Sequence, residues 1–290
     1  MDTLLNLTVS GLVVGSVYAL VAMGFASIYR ATGVLNFAQG DLMLLVAYTS
    51  YSVASTAQGG FATVLLASVT TGIVVGVMLE YLFIRPMAAE SLFSKVMVTL
   101  ALAIMIRAAV VMLYGAEPLA VPPMLGTAIL RLGSVALYPA QLAVLLMLLA
   151  SVIATWLMFN WSRLGIEMRA AACDEGAALL AGISVRRVYA IAWALAGAYA
   201  ALAGLACALL FNLDPTVSSL SLRAFPAAIL GGLDSVLGGA LGGLAIGILE
   251  SYAGGYLDRG MKDVVGFLLI IIVLMIKPYG LFGTRRIERV

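Results

Sequence analysis

Asn36, Gln39 and Asp41 stand within six positions of one another, in the stretch "NFAQGD", with long apolar runs on both sides. An amide both donates and accepts hydrogen bonds, and a carboxylate accepts several. Such groups can serve a polar solute, or they can satisfy backbone freed by a break in a helix. A plainer role is also open: Asn36 as an N-cap, with Asp41 favourable near the positive end of the helix that follows. That role explains Asn36 and Asp41 and leaves Gln39 without a purpose. A similar interruption occurs at "RAFPAAILGGLDS" (223–235), where Pro226 removes a donor and Gly231-Gly232 weakens a helix. Both stretches carry a Phe among small residues, Phe37 and Phe225, which suggests matching elements of two related halves. Asn36, Gln39, Asp41, Phe225 and Pro226 are the candidates for a solute pathway.

Only Glu80, Arg107 and Glu250 place a charge inside an apolar run. Facing lipid, a charge near a helix centre costs about 2.5–3.5 kcal/mol on insertion scales, so each calls for a partner or for water. Glu80 has Arg85 close by and the interface within reach. Arg107 lies deeper; pairing with Glu250 or Glu80 is expected, with a wet cavity as the alternative.

These groups are carried by a chain built for a bilayer. Of its 290 residues 63% are hydrophobic and 10% charged, and the mean hydropathy is +1.12; a soluble domain carries about 25% charged residues. Apolar runs of about 20 residues indicate helices rather than a β-barrel. The fold expected is therefore all-α and polytopic, one transmembrane domain over 1–290. Eight spans are read at about 9–29, 36–56, 61–84, 95–114, 140–160, 188–211, 236–255 and 264–277, and 217–233 reads as a shorter, broken or re-entrant piece. The start "MDTLLNLT" lacks the positive region of a cleaved signal peptide. A cytoplasmic C-terminus puts eleven Lys and Arg inside and four outside, an N-out, C-in arrangement. A net charge of +2 with scattered arginines gives nucleic acid nothing to bind. Two cysteines, no histidine and no acidic cluster suggest neither a disulfide framework nor a metal site.

Small residues recur every four positions in "GGALGGLAIG" (238–247), spacing that lets helix backbones approach closely. Packing within the subunit, a subunit interface and a sliding pore wall all fit it. Between the fifth and sixth spans, residues 162–188 form the most informative polar loop. Glu167 to Ala181 are strong helix formers, Gly182 suits a C-cap, and Ser184 can start the next span. One short helix rigidly joined to two spans is expected there.

The stretch "MRAAACDEGAALLAGISVRRV" (168–188) resembles the coupling loop of permease subunits of bacterial ABC importers, specifically the branched-chain amino acid permease family. In order along the chain, "GLVVGSVYALVAMGF" (11–25), "GVLNFAQGDLMLL" (33–45), "AFPAAILGGLDSVLGGALGGLAIGILE" (224–250) and "KPYGLFG" (277–283) also resemble that family, and the H-type of its two sister permeases. Where the family commonly has "NFAHG", this chain has Gln39, so no titratable imidazole stands there. The resemblance implies an importer in a bacterial inner membrane, with a second homologous permease, two cytoplasmic ATPases that bind ATP and Mg²⁺, and a periplasmic substrate-binding protein. The chain itself has no G-x-x-x-x-G-K-[ST] phosphate loop and no cofactor is expected in it. Glu167, Arg169, Asp174 and Glu175, with Gly182 setting the bend, are then the expected contacts to the ATPase. Related systems carry branched-chain or other amino acids, amides or urea. A secondary carrier needs its own coupling site, for which buried acids are too few. A membrane enzyme needs a nucleophile, metal set or carboxylate pair that the chain does not offer.

Overall fold

The computed structural model describes residues 2–56, 60–88, 90–126, 128–132, 135–257 and 260–283. They form a helical bundle: α1 (Asp2–Thr32), α2 (Gln39–Thr56), α3 (Phe61–Leu79), α4 (Leu92–Tyr114), α5 (Pro139–Trp161), α6 (Arg163–Cys173), α7 (Glu175–Leu180), α8 (Val185–Leu210), α9 (Leu220–Gly231), α10 (Val236–Tyr256) and α11 (Met261–Ile276). The only sheet among the described residues is a hairpin of β1 (Leu130–Leu132) and β2 (Val135–Leu137), between α4 and α5.

Among the described residues six helices, α1, α3 with its continuation to Met87, α4, α5, α8 and α10, are long and apolar enough to cross a bilayer. Hydropathy is high on all of them, but burial separates them into two layers. About 89% of the α1 span is buried inside the protein, against 28% for α3, 28% for α4 and 33% for α5. Hence α1 is the central post, packed on α8, α9 and α10, while α3, α4 and α5 turn Leu, Ile and Met outward. Outward-facing apolar side chains are what lipid accepts.

Glycine sets how closely the posts approach. Gly239, Gly243 and Gly247 of α10 meet Ala22, Ala19 and Gly15 of α1, while Gly238 and Gly242 meet Gly231 and Ala227 of α9. A Cβ added to Gly243 would overlap the Ala19 backbone. The four-residue repeat therefore packs the subunit internally, on two flanks of one helix.

Two expected elements differ in detail. The run read as a span from residue 36 becomes helical only at Gln39, and residues 34–36 have no regular structure. The single helix read across 167–181 is two, α6 and α7. Asp174 separates them, extended at φ −156° and ψ 109°, and its side chain accepts a hydrogen bond from the Ala177 amide. A short acid that bonds nearby backbone competes with helix continuation, which helix propensity alone does not register. Gly182 ends α7 at φ +81°, with Ile183 donating back to the Ala178 carbonyl at 2.9 Å. That is a left-handed glycine C-cap. Ser184 occupies the N-cap position of α8 but makes no side-chain capping bond.

Candidate functional site: a junction of two broken helices

Gly33, at φ +66°, stops α1 and turns the chain back into the bundle. Residues 34–38 then climb without a helix, and the polar groups of residues 36–39 find partners among themselves and on α4 and α8. Asn36 Oδ1 accepts from the Ala38 amide at 3.1 Å, and the Phe37 amide donates to Thr99 Oγ1 of α4 at 3.3 Å. Gln39 Nε2 donates to the Ala196 carbonyl of α8 at 3.0 Å, and Asn36 Nδ2 reaches Gln39 Oε1 at 3.4 Å. Gly24 of α1 makes room, since a Cβ there would overlap the Gln39 amide. Both amides are fully buried. An unsatisfied buried amide costs about 1–3 kcal/mol, so this set of bonds is what keeps the break intact.

Gly24 lies eight residues inside α1 and Ala196 eleven residues inside α8. At 1.5 Å per residue, Gln39 stands about 12–16 Å inside the bundle, near mid-depth of a ~30 Å core. The break is thus central rather than at the membrane face where the start of a second span would put it. Hydropathy cannot separate a helix from a loop that re-enters, because both stretches are apolar.

The second break meets the first. A 3₁₀ turn, Pro215–Ser219, leads into the twelve-residue α9, which holds the buried Pro226. Gly40 backs directly onto Ser218 and Ser221. The Phe225 ring sits 5.8 Å from Phe25 and 6.3 Å from Phe37. So the two Phe-bearing interruptions, almost 190 residues apart by number, share one aromatic cluster.

Arg107 pairs with neither Glu250 nor Glu80. Its Nε and Nη2 donate to Asp41 Oδ1 and Oδ2 at 2.9 and 3.2 Å, a bidentate pair. The Asp41 side chain is 3% exposed and that of Arg107 51%. Ser218 lies beside the same carboxylate. Glu80 instead accepts from Arg85 at 3.1 and 2.8 Å, inside a π-helical turn, Glu80–Ile84, that continues α3. Glu250 accepts from the Tyr18 hydroxyl at 2.9 Å, and Arg223 stands next to that hydroxyl. This ties α9 to α1 and α10. Nothing in the spacing of Tyr18, Arg223 and Glu250 announced the group; only two charged residues set among apolar neighbours hint at it.

The tail segment "KPYGLFG" has a role that sequence reasoning missed. Leu281 and Phe282 donate their amides to the Leu230 and Gly231 carbonyls at 2.8 and 3.2 Å, closing the end of α9. Gly232 at φ +98° and Gly280 at φ +79° allow the contact, and the two glycines of "GLFG" (280–283) were the available signal.

The α6–α7 corner lies at the Arg30 end of the bundle. Arg169 donates to the Phe159 carbonyl at 2.7 Å, and Arg30 lies 4.6 Å above the Phe159 ring. Glu167 is half-buried, Asp174 and Glu175 are exposed, and Tyr189 donates to Glu175 at 3.2 Å. Leu180, just before the Gly182 turn, is 93% exposed.

Long apolar helices around a polar, doubly broken centre define a polytopic membrane protein of the transport class. The chain belongs to the family of permease components of branched-chain amino acid transport systems, whose family model matches residues 7–274. It is 30% identical to the high-affinity branched-chain amino acid transport system permease protein LivH of Escherichia coli K12, over 97% of this chain and 96% of that one. It is 29% identical, with the same coverage, to the corresponding permease protein BraD of Pseudomonas aeruginosa. A probable branched-chain amino acid transport permease protein LivH of Methanocaldococcus jannaschii is 26% identical over 94% of this chain. No solved structure matches the chain.

Proposed function

We propose that this chain is the membrane permease subunit of a binding-protein-dependent ABC importer for branched-chain amino acids, placed in a bacterial inner membrane with the Arg30 end in the cytoplasm. It moves a solute rather than converting one. A second homologous permease completes the membrane pair, and two cytoplasmic ATPases bind ATP and Mg²⁺. A periplasmic binding protein delivers the solute to the opposite end, where α5 begins.

The observation that carries this reading is the meeting of the two helix breaks at mid-depth, in a chain of this family. Short helices that end inside a bundle can shift by exchanging a few hydrogen bonds, whereas a continuous span must move whole. In this reading ATP-driven closure presses on α6 and α7. The motion passes through α5 and α8, which flank them, to Gln39 on Ala196 of α8 and so to the first break. Glu167, Arg169, Asp174 and Glu175 present the charged surface of the corner, Gly182 sets its angle, and Leu180 is the apolar side chain that enters the ATPase groove.

Affinity purification of the tagged chain from its native membrane tests the assembly: two ATPases and a second permease are expected to co-purify. Reconstituted with the binding protein, the complex is expected to take up radiolabelled L-leucine in an ATP-dependent way. Uptake of urea or a short amide in preference to leucine would reassign the solute. ATP-independent uptake would make the protein a secondary carrier and overturn the reading.

A further inference from the structure

Arg107 is placed where a bare helix surface would be expected to meet lipid. It lies fifteen residues beyond the start of α4 and seven short of Tyr114, so about 10 Å from one end and 22 Å from the other. Half its side chain is nevertheless uncovered. An arginine at such depth does not face hydrocarbon; it faces protein or water. Asp41 already supplies its countercharge, so no carboxylate from a neighbouring subunit is needed to neutralise it, and water can cover the rest of the guanidinium.

The pairing geometry adds a second point. Asp41 takes the guanidinium side-on, through Nε and Nη2. The opposite edge of the fork, which includes Nη1, is directed away from Asp41, and a guanidinium edge suits a carboxylate. A pair that is neutral overall attracts a second carboxylate less strongly than a lone cation does. That moderation suits a solute that must bind and then leave.

We propose that Arg107, positioned by Asp41, is a transient docking point for the carboxylate of the transported amino acid, on an α4 face that lines a water-filled path. The proposal rests on the importer reading above. Leu100 lies on the same stripe, two turns from Arg107, and is 37% exposed; the stripe runs along the boundary between the buried side of α4 (Ala103, Val110) and its outward apolar side (Ile104, Met112). The path runs along this stripe, past the first break. Asp41 is a positioning residue: it anchors the guanidinium to the start of α2 and touches Ser218 of the second break, so movement of either break re-aims Arg107.

Two experiments on the assembled transporter in proteoliposomes test the proposal. The first compares L-leucine uptake in wild type, D41N, R107Q, and the double variant D41N/R107Q, which removes both charges and keeps a hydrogen-bonding pair. If the pair were only a structural clasp, the double variant would recover uptake. We expect uptake per assembled complex to stay at least about tenfold down, the effect of losing one charge-assisted hydrogen bond. Recovery to near wild type overturns the proposal. The second experiment does not depend on those variants assembling. In a C173A/C207A background, Leu100→Cys is expected to react with a charged, membrane-impermeant thiol reagent. Failure to react, in a complex that still imports leucine, overturns the wet face and leaves the importer reading standing. Absence of leucine uptake by the wild-type complex instead strikes that reading and the carboxylate assignment with it.

Discussion

The α1–α10 contact and the α2–α9 junction lie side by side and are held together by different physics. Along α1 and α10, glycine meets alanine and glycine at three positions, backbone against backbone, and the main polar group is the Tyr18–Glu250 bond with Arg223 beside it. At the junction the chain is discontinuous twice, and side-chain amides, a buried carboxylate and three phenylalanines fill the gaps. Close packing of backbone has one good arrangement, because interiors are dense and tolerate little displacement. A junction of hydrogen bonds can exchange partners. The subunit therefore combines a rigid post with a region capable of two states, and an alternating transporter needs both.

The sharpest way to break that contrast is to damage the post. Gly243→Val puts a branched side chain into the Ala19 backbone; overpacking costs about 1–3 kcal/mol or more, and membrane insertion gives no other place for it. We expect little folded protein in the membrane, read by detergent-solubilised yield and thermal aggregation. Next comes Gln39→Leu at the junction, which removes the bond to the Ala196 carbonyl and leaves the buried Asn36 Nδ2 without its Gln39 acceptor, a cost of about 1–3 kcal/mol. Here the yield should stay above half while leucine uptake falls by about tenfold or more, because the break loses its tie to α8. Equal loss of yield and uptake would make Gln39 part of the post. A smaller effect is expected at Gly182→Ala, which forces φ +81° on a residue with a Cβ, a cost of about 1 kcal/mol. Uptake per ATP hydrolysed should fall two- to fivefold on the order of that strain. The least effect on stability belongs to Leu180→Ser, since this side chain is almost wholly exposed. It should leave the melting temperature unchanged and weaken co-purification of the ATPase.

The post was legible in the sequence, because apolar runs and small residues at four-residue spacing are local facts. Gly182 as a helix end was legible for the same reason: a glycine after a run of helix formers meets a need of the adjoining backbone. The interruptions at Asn36 and Pro226 could also be read. Their depth could not, because an apolar stretch such as 34–38 has the same hydropathy whether it lies at an interface or climbs into the bundle. The Asp41–Arg107 pair was hidden for another reason. Which of three acids takes an arginine depends on which helices are neighbours, and α4 touches α2 rather than α10. The Asp174 break was missed because propensity was summed over a window in which one capping bond decided the outcome.

The clasp on α9 bears on the making of the protein. The Leu230 and Gly231 carbonyls take their partners from Leu281 and Phe282, some fifty residues later in the chain. During synthesis, α9 enters the translocon long before those amides exist. The nascent half-helix must wait with its last carbonyls served by water or by lipid headgroups. Only when the chain has been made through Phe282, and α11 is in place, does the second break acquire its native end. The step that finishes this subunit is thus the docking of a turn made late against a helix made earlier, and the junction closes after the post.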